Sequence, residues 1–339
     1  MRLDEVGEFG FIRRVSRGCL VRPEGVARAI GDDAAAFAVT AGRLALVTTD
    51  LLVERVHFLR AATTPANLGH KALAVNLSDI AAMGGTAREA FLSLAIPADC
   101  PVEFLEELYA GMKRLAARHA VNILGGDTTA SRADLFLGVT VVGEVPRDQV
   151  LYRSGARPGD VVCLTGTVGD SRAGLHFVRQ GSAPPDAGMQ ALLDAHLLPR
   201  PHLEEGRFLA ESGAATAAID VSDGLSSDLL HVCEESGVGI VIRPDAIPVS
   251  AELLDFCSRL AHDPARFALA GGEDYVLAAT LRAERLEEVQ RGFAARFGRP
   301  LHLIGEVRAG TGLLLRTPDG GEEALTPTGW DHFAGEGRG

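Results

Sequence analysis

The chain has 339 residues, 47% of them hydrophobic, a length and apolar content that support a large core and suit two domains better than one. A formal net charge of −12 and the lack of any basic block exclude nucleic acid and anionic membranes as partners, since both recruit clustered Lys and Arg. The N-terminal MRLDEVGEFGFIRRV offers no signal peptide or membrane span, and the widely spaced Cys19, Cys100, Cys163, Cys233 and Cys257 lack any CxxC, which suits core thiols in a reducing cytoplasm.

In chain order, Arg43 to Thr49 (RLALVTT) is a β-rich run that closes on Asp50. Pro65 to Met83 reads as a helix, with Thr64 as N-cap and Gly84-Gly85 as stop. Glu89 to Ile96 reads as a strand. A helix then starts with Pro101 at its first position and runs to about Ala120, and Asn122 to Leu124 leads into Gly125-Gly126-Asp127. The strand Asp134 to Val145 precedes an aperiodic Pro- and Gly-bearing stretch, 146–160, that marks a boundary. Beyond it come a strand and Gly-bearing turn in VVCLTGTVGDSRAGL and a helix from about Asp170. Further helices are expected at about Pro201–Ser212, Ser222–Ser236 and Glu284–Phe297, with strands at Ala215–Ile219, Val238–Ile242, Tyr275–Leu281 and Leu301–Val307. The alternation predicts an α/β or interleaved α+β fold in two domains, 1–147 and 148–333, and a disordered tail, 334–339.

Aspartates gather in five short clusters: IGDD ending at Asp33, TTD ending at Asp50, NLSD ending at Asp79, GGD ending at Asp127, and DVSD with Asp220 and Asp223. Carboxylates brought together repel one another unless hard cations sit among them, and Mg²⁺ bound by carboxylates normally shares its shell with phosphate oxygens. Asp79 is the sharpest local clue. It falls in the last turn of its helix, where the carbonyl end of the dipole disfavours a negative charge by ~0.3 to 1 kcal/mol, and a bound cation reverses that penalty. Asn76 and Lys71 lie near the same face. Taken singly, Asp50, Asp127 and the GGEDY acids (Glu273, Asp274) read first as turn formers, and Ser222 and Asp223 as a helix cap and a first-turn acid; Asp220 is unexplained by capping. The phosphate-binding GxxxxGK[ST], the dinucleotide GxGxxG after a strand, HExxH and GxSxG are all missing.

The succession IGDD, TTDLLVERVHF, KALAVNLSDIAAMG, NILGGDTT, YRSGARPGD, LTGTVGD, IDVSDGL, GGEDY and GWDHF, spread from about Gly7 to Phe333, closely resembles the thiamine-monophosphate kinases. These belong to a superfamily that includes aminoimidazole ribonucleotide synthetase, selenophosphate synthetase and a hydrogenase maturation factor. The resemblance implies a homodimer whose N-terminal sheets pair into a barrel, a C-terminal α/β domain, and nucleotide bound between domains. It implies ATP-dependent phosphorylation of thiamine monophosphate, with ATP as co-substrate and several Mg²⁺ ions; a K⁺ requirement stays open. Carried over by motif, Asp33, Thr48, Thr49, Asp50, Asp79, Asp127, Asp220 and Asp223 bind metal, with Asp33 rather than Asp32 facing it. Asp33, Thr48, Tyr109, Gly126, Asp127, Arg153 and Ser222 contact ATP, and His57, Glu273 and Trp330 line the thiamine phosphate pocket. Trp330 stands where the family often has Tyr, which keeps an aromatic face but not a phenol. Two rival readings are a sister enzyme activating another nucleophile, for which Cys19 is the sole thiol candidate, and a non-catalytic nucleotide and metal sensor.

Overall fold

The computed structural model describes residues 8–30 and 35–330. The chain divides into two compact units, one comprising residues up to Ile80 together with Gly85–Arg147, the other Ala81–Gly84 and the chain from Asp148 on. In the first unit the helices are α1 (Glu8–Ser16), α2 (Pro65–Ala82) and α3 (Val102–Arg118). Its strands are β1 (Val26–Arg28), β2 (Ala36–Phe37), β3 (Arg43–Val53), β4 (Thr86–Pro97), β5 (Asn122–Ser131) and β6 (Phe136–Pro146). β1 and β2 form a small ribbon, and the other four strands form a sheet in the order β3-β6-β4-β5.

The Thr64 hydroxyl accepts the Asn67 N–H and so caps α2 as its sequence predicts. The helix is enclosed along most of its length, with Leu68, Leu73, Leu77 and Ile80 at 1% exposure or less and the polar Lys71, Asn76 and Ser78 buried beside them. It crosses α3 at backbone contact: a Cβ on Gly69 would overlap the Leu108 carbonyl, and one on Gly111 the Ala66 carbonyl. Pro101 occupies the N-cap of α3 in extended conformation, one place earlier than expected, because its φ of −74° suits either position while its ψ of 152° is not helical. Two further expectations are corrected. Asp50 does not end its strand, since β3 continues to Val53 in register with β6, and Gly125-Gly126-Asp127 lies within β5 rather than in a turn. A Cβ on Gly126 would overlap the Leu92 carbonyl, so the pair of glycines serves close strand approach.

The second unit is built on a seven-stranded mixed sheet. Its strands are β7 (Val161–Leu164), β8 (Ala215–Asp220), β9 (Gly239–Ile242), β10 (Leu277–Leu281), β11 (His302–Arg308), β12 (Gly312–Arg316) and β13 (Glu322–Ala324), in the order β13-β12-β9-β11-β7-β10-β8. The helices are α4 (Asp170–Gln180), α5 (Ala187–Leu197), α6 (Leu203–Glu211), α7 (Leu225–Ser236), α8 (Ala251–Leu260), α9 (Pro264–Leu269) and α10 (Leu286–Phe297). The core joins sheet residues such as Val162, Ile219, Ile240 and Ala278 to Phe177, Leu192, Leu229 and Phe256 from the helices. All five cysteines are free and buried, and burial pushes Cys163 up to about 12 and Cys100 and Cys233 to about 11, leaving thiols of low reactivity.

A buried histidine predicts a loss of stability of this unit in acid. His202 Nδ1 lies 2.7 Å from the Thr165 hydroxyl, which also accepts the Leu277 N–H. The two side chains share one hydrogen bond, whose direction follows the tautomer of the neutral imidazole. Burial, and after it the charges of Arg299 and Arg200, hold the His202 pKa well below its usual 6.5. Because the unfolded chain binds this proton more readily than the folded one, the stabilisation is complete above about pH 6.5 and is lost as pH falls below it. His202→Asn keeps a hydrogen-bonding group for Thr165 but cannot titrate. Its melting temperature should decline less than that of the native chain between pH 7 and 5, and parallel curves would refute the assignment.

Candidate functional site

In the first unit, β3 alternates between two environments. Leu46 and Leu52 are 6% and 4% exposed, whereas Val47 and Leu51 are 67% and 55% exposed. The even-numbered face lies under α2, where Ile80 approaches Leu46. Thr48 and Asp50 are half-buried on that face, and the Thr48 hydroxyl donates to the Asp79 carboxylate of α2. A strand hydroxyl and a helix-end carboxylate thus meet as hard oxygen donors, with the Asp50 carboxylate two residues along on the same strand face. Mg²⁺ is typically held by one or two carboxylates with phosphate and water completing its shell, so this set fits it. Among the described residues no group of three His, Cys, Asp or Glu side chains is arranged to hold a metal. Asp32 and Asp33 lie outside the described residues. Lys71 and Asn76, at 3% and 0% exposure, are deep in the packing around α2.

The other predicted ligands of this unit lie elsewhere on the sheet. Thr49 is on the open face, 3.1 Å from the Thr140 hydroxyl. Asp127 shares a row with Ser93, Gly138 and Leu51 and is exposed. Asp50 belongs to the next row, with Val139, Leu92 and Gly126, so three strand spacings, roughly 14 Å, separate its backbone from that of Asp127. In this unit the Thr48 hydroxyl thus reaches Asp79, with Asp50 two residues along on the same face of the strand.

His57 sits in the turn after β3, where Arg55 adopts φ 67° and its N–H binds the Phe58 carbonyl. The Val53 N–H donates to His57 Nδ1 at 3.0 Å, which leaves the ring proton of the neutral form on Nε2 as a donor. Glu54, bonded by Arg60 and the Leu135 N–H, fixes the base of the turn. Tyr109 is packed edge-to-face on Phe11 at 8% exposure, and burial raises its phenol pKa. That core placement, dictated by the apolar stripe of α3, leaves little of the ring to touch a nucleotide.

In the second unit one loop collects four of the predicted residues. After Asp220 ends β8, the chain turns through Val221–Gly224 into α7, which begins at Leu225; Ser222 is not its N-cap. Gly224 is the N-cap, and Asp228 in the first turn binds back to the loop, its Oδ2 accepting the N–H groups of Ser222, Asp223 and Gly224 at 3.1, 3.3 and 3.1 Å. Burial, reinforced by the Asp220 and Asp223 charges, pushes the Asp228 carboxyl well above the usual range, while the Gly224 and Asp223 N–H groups pull it back. The Glu273 N–H binds the Ser222 carbonyl at 2.7 Å and the Trp330 N–H binds the Asp223 carbonyl at 2.9 Å. The segment carrying Trp330 is also tied at Thr328 and Gly329 to the Ser226 and Ser227 hydroxyls, and Gly329 has no room for a Cβ between Ser227 and the Asp223 carbonyl. The indole itself is 44% exposed.

Glu273 and Tyr275 both occupy the left-handed region, at φ 62° and 53°, a strained backbone that surrounding bonds must hold. Asp274 between them accepts the Gly169 and Ser171 N–H groups at the start of α4, and desolvation raises its pKa well above normal. The Glu273 carboxylate lies 3.1 Å from Nδ1 of buried His196, and the Ser171 hydroxyl lies 3.1 Å from the same nitrogen. Arg153 is exposed, on a turn pinned by Ser236, whose hydroxyl donates to the Arg153 carbonyl and accepts the Gly155 and Ala156 N–H groups. Sequence reasoning misses Asp228, His196 and the Ser226-Ser227 pair, and gives Asp274 no more than a turn. Only Asp228 carries a signal, as a further acid within DVSDGLSSD.

The AIR synthase related protein family matches this chain in two parts, its N-terminal domain at residues 31–145 and its C-terminal domain at 157–316. The thiamine-monophosphate kinase of Aquifex aeolicus is 36% identical over 98% of this chain and 100% of its own length, and that of Salmonella typhimurium is 37% identical over 97% and 98%. Among solved structures, the thiamine-monophosphate kinase of Stenotrophomonas maltophilia K279a superposes with a TM-score of 0.83 at 35% identity, covering 94% of this chain and 98% of that one. AaThiL complexed with AMPPCP and TMP superposes at 0.78 with 34% identity, covering 98% and 99%. The hydrogenase maturation protein HypE, at 21% identity and a TM-score of 0.74, shares the fold. With relatives this similar over nearly its whole length, the chain belongs to the thiamine-monophosphate kinase family of AIR synthase related proteins.

Proposed function

We propose that this protein transfers the γ-phosphoryl group of ATP to thiamine monophosphate by direct in-line displacement, yielding thiamine diphosphate and ADP. The observation that carries the reading is the Val221–Gly224 loop, where Ser222 and Asp223 hold Glu273 and Trp330 by backbone hydrogen bonds. Relatives of the same name at 36% and 37% identity, and one solved with AMPPCP and TMP together, support a site for two phosphorylated ligands. The acceptor nucleophile is a phosphate oxygen. With a second pKa near 6 it is mostly deprotonated at neutral pH, so no general base is required.

In this reading Thr48, Thr49, Asp50, Asp79, Asp127, Asp220 and Asp223, with Asp33, hold several Mg²⁺ ions. Bound Mg²⁺ lowers the repulsion between the two anionic substrates and neutralises charge on the transferring phosphoryl group. Ser222, the Gly126 backbone in β5 and the Arg153 guanidinium bind ATP phosphates, the last by a bidentate contact. His57 Nε2–H donates toward the acceptor, and Glu273, oriented by His196, complements the positive thiazolium ring. Trp330 stacks on that ring as a cation–π partner. Trp330→Ala should raise the KM for thiamine phosphate about tenfold or more and leave that for ATP within about twofold, consistent with ~1 to 2 kcal/mol of desolvated cation–π contact. Equal effects on both substrates would count against the assignment. The proposal as a whole is tested by thiamine diphosphate formation from ATP, Mg²⁺ and thiamine monophosphate.

We further infer a cytoplasmic homodimer that joins the open sheet faces of two first units. Exposed Val47 and Leu51 on that face support the pairing, and among the described residues no helix is long and apolar enough to cross a membrane.

A further inference from the structure

Asp228 takes no part in the chemistry above, yet its position gives it a mechanical role. It is 2% exposed, in the first turn of α7, and its Oδ2 gathers three successive amides. Two of those amides belong to peptide units whose carbonyls are also engaged. In the Ser222–Asp223 peptide the N–H binds Asp228 and the C=O binds the Glu273 N–H. In the Asp223–Gly224 peptide the N–H binds Asp228 and the C=O binds the Trp330 N–H. A trans peptide is planar, with N–H and C=O pointing in opposite directions, so each unit is a rigid lever. One end of each lever rests on Asp228 and the other on a residue of the acceptor pocket.

We propose that Asp228 is a positioning residue for the acceptor pocket, setting through these two peptide planes where the backbones of Glu273 and Trp330 stand while touching no substrate itself. The inference rests on the thiamine phosphate reading of that pocket, and supporting side chains of this kind typically change affinity or activity about 10- to 100-fold when removed. Its alternative is a first-turn contact that affects stability alone.

Trp330 is the sole tryptophan of the chain, so intrinsic fluorescence reports the lever's far end without substrate or metal. Asp228→Ala should shift Trp330 emission and quenching by acrylamide and raise the KM for thiamine phosphate about tenfold or more. Asp228→Asn, which can place a neutral oxygen where Oδ2 stood, should restore most of both. Phe293→Leu on the buried face of α10, chosen to match the loss of melting temperature, should change neither. Should Asp228→Ala not fold, Asp228→Glu takes its place, since one extra methylene displaces the levers. A folded Ala or Glu variant with native emission and native KM overturns the proposal. If the native protein forms no thiamine diphosphate, the functional reading falls, while the fluorescence comparison still decides whether Asp228 positions Trp330.

Discussion

Replacing Asp79 by Asn is expected to lower kcat/KM at least about a hundredfold, the equivalent of ~3 kcal/mol of lost metal-assisted charge stabilisation, while making the metal-free protein more stable. The two effects share one cause. Asp79 sits in the last turn of α2, among the final backbone carbonyls, and its negative charge there costs ~0.3 to 1 kcal/mol. Its carboxylate accepts the Thr48 hydroxyl proton, a bond the Asn oxygen can also accept, so the contact between α2 and β3 survives the change. In EDTA the variant should therefore melt up to about 4 °C higher than the native chain. Mg²⁺ should raise the melting temperature of the native chain and do less for the variant, because an ion that binds only the folded state stabilises by mass action. A variant that keeps its activity, or that gains as much from Mg²⁺ as the native protein, would remove Asp79 from the metal set.

Gly111→Ala should destabilise the first unit even though it adds a single methyl to a helix. On an exposed helix the change would gain about 1 kcal/mol from propensity. Here the new Cβ meets the backbone carbonyl of Ala66, and α2 and α3 must move apart across a contact lined by fully buried Leu105, Leu108 and Met112. Overpacking at the upper end of its usual range, ~3 kcal/mol, leaves a net loss of about 2 kcal/mol and a melting temperature lower by ~4 to 8 °C. Gly69→Ala disturbs the same crossing from the other helix. The double variant should lose less than the sum of the two, since the first substitution has already separated the backbones. A thermal melt in which Gly111→Ala gains stability would show that the helices tolerate the separation.

How far these features are legible in the sequence differs by element. The extent of α2 and the place of Asp79 in its last turn follow from Thr64, the mostly apolar stretch after it and Gly84-Gly85, all local signals that the fold obeys. Gly125-Gly126 misleads because two glycines before an acid read as a turn, whereas they lie in a strand that passes tightly over the Leu92 carbonyl, a demand made by a neighbour distant in sequence. Asp50 reads as a strand end for a similar reason: TTD looks like punctuation, but β6 supplies partners through Val53. The acceptor loop is legible as a motif and illegible as a mechanism. Glu273, Ser222 and Trp330 stand out by resemblance, but the bonds that join them are between backbone atoms and leave no trace in side-chain identity. His196 is invisible because its partner, Glu273, is far along the chain and nothing around it in α5 departs from an ordinary helix.

Phosphorus NMR of the purified protein with ATP, Mg²⁺ and thiamine monophosphate tests most directly whether this chain moves one phosphoryl group from ATP onto the phosphate of thiamine monophosphate. The monoester signal should give way to the coupled pair of a thiamine diphosphate, in step with ADP, and EDTA should stop the conversion. Release of inorganic phosphate with the thiamine monophosphate signal intact, or no loss of ATP at all, would contradict that transfer.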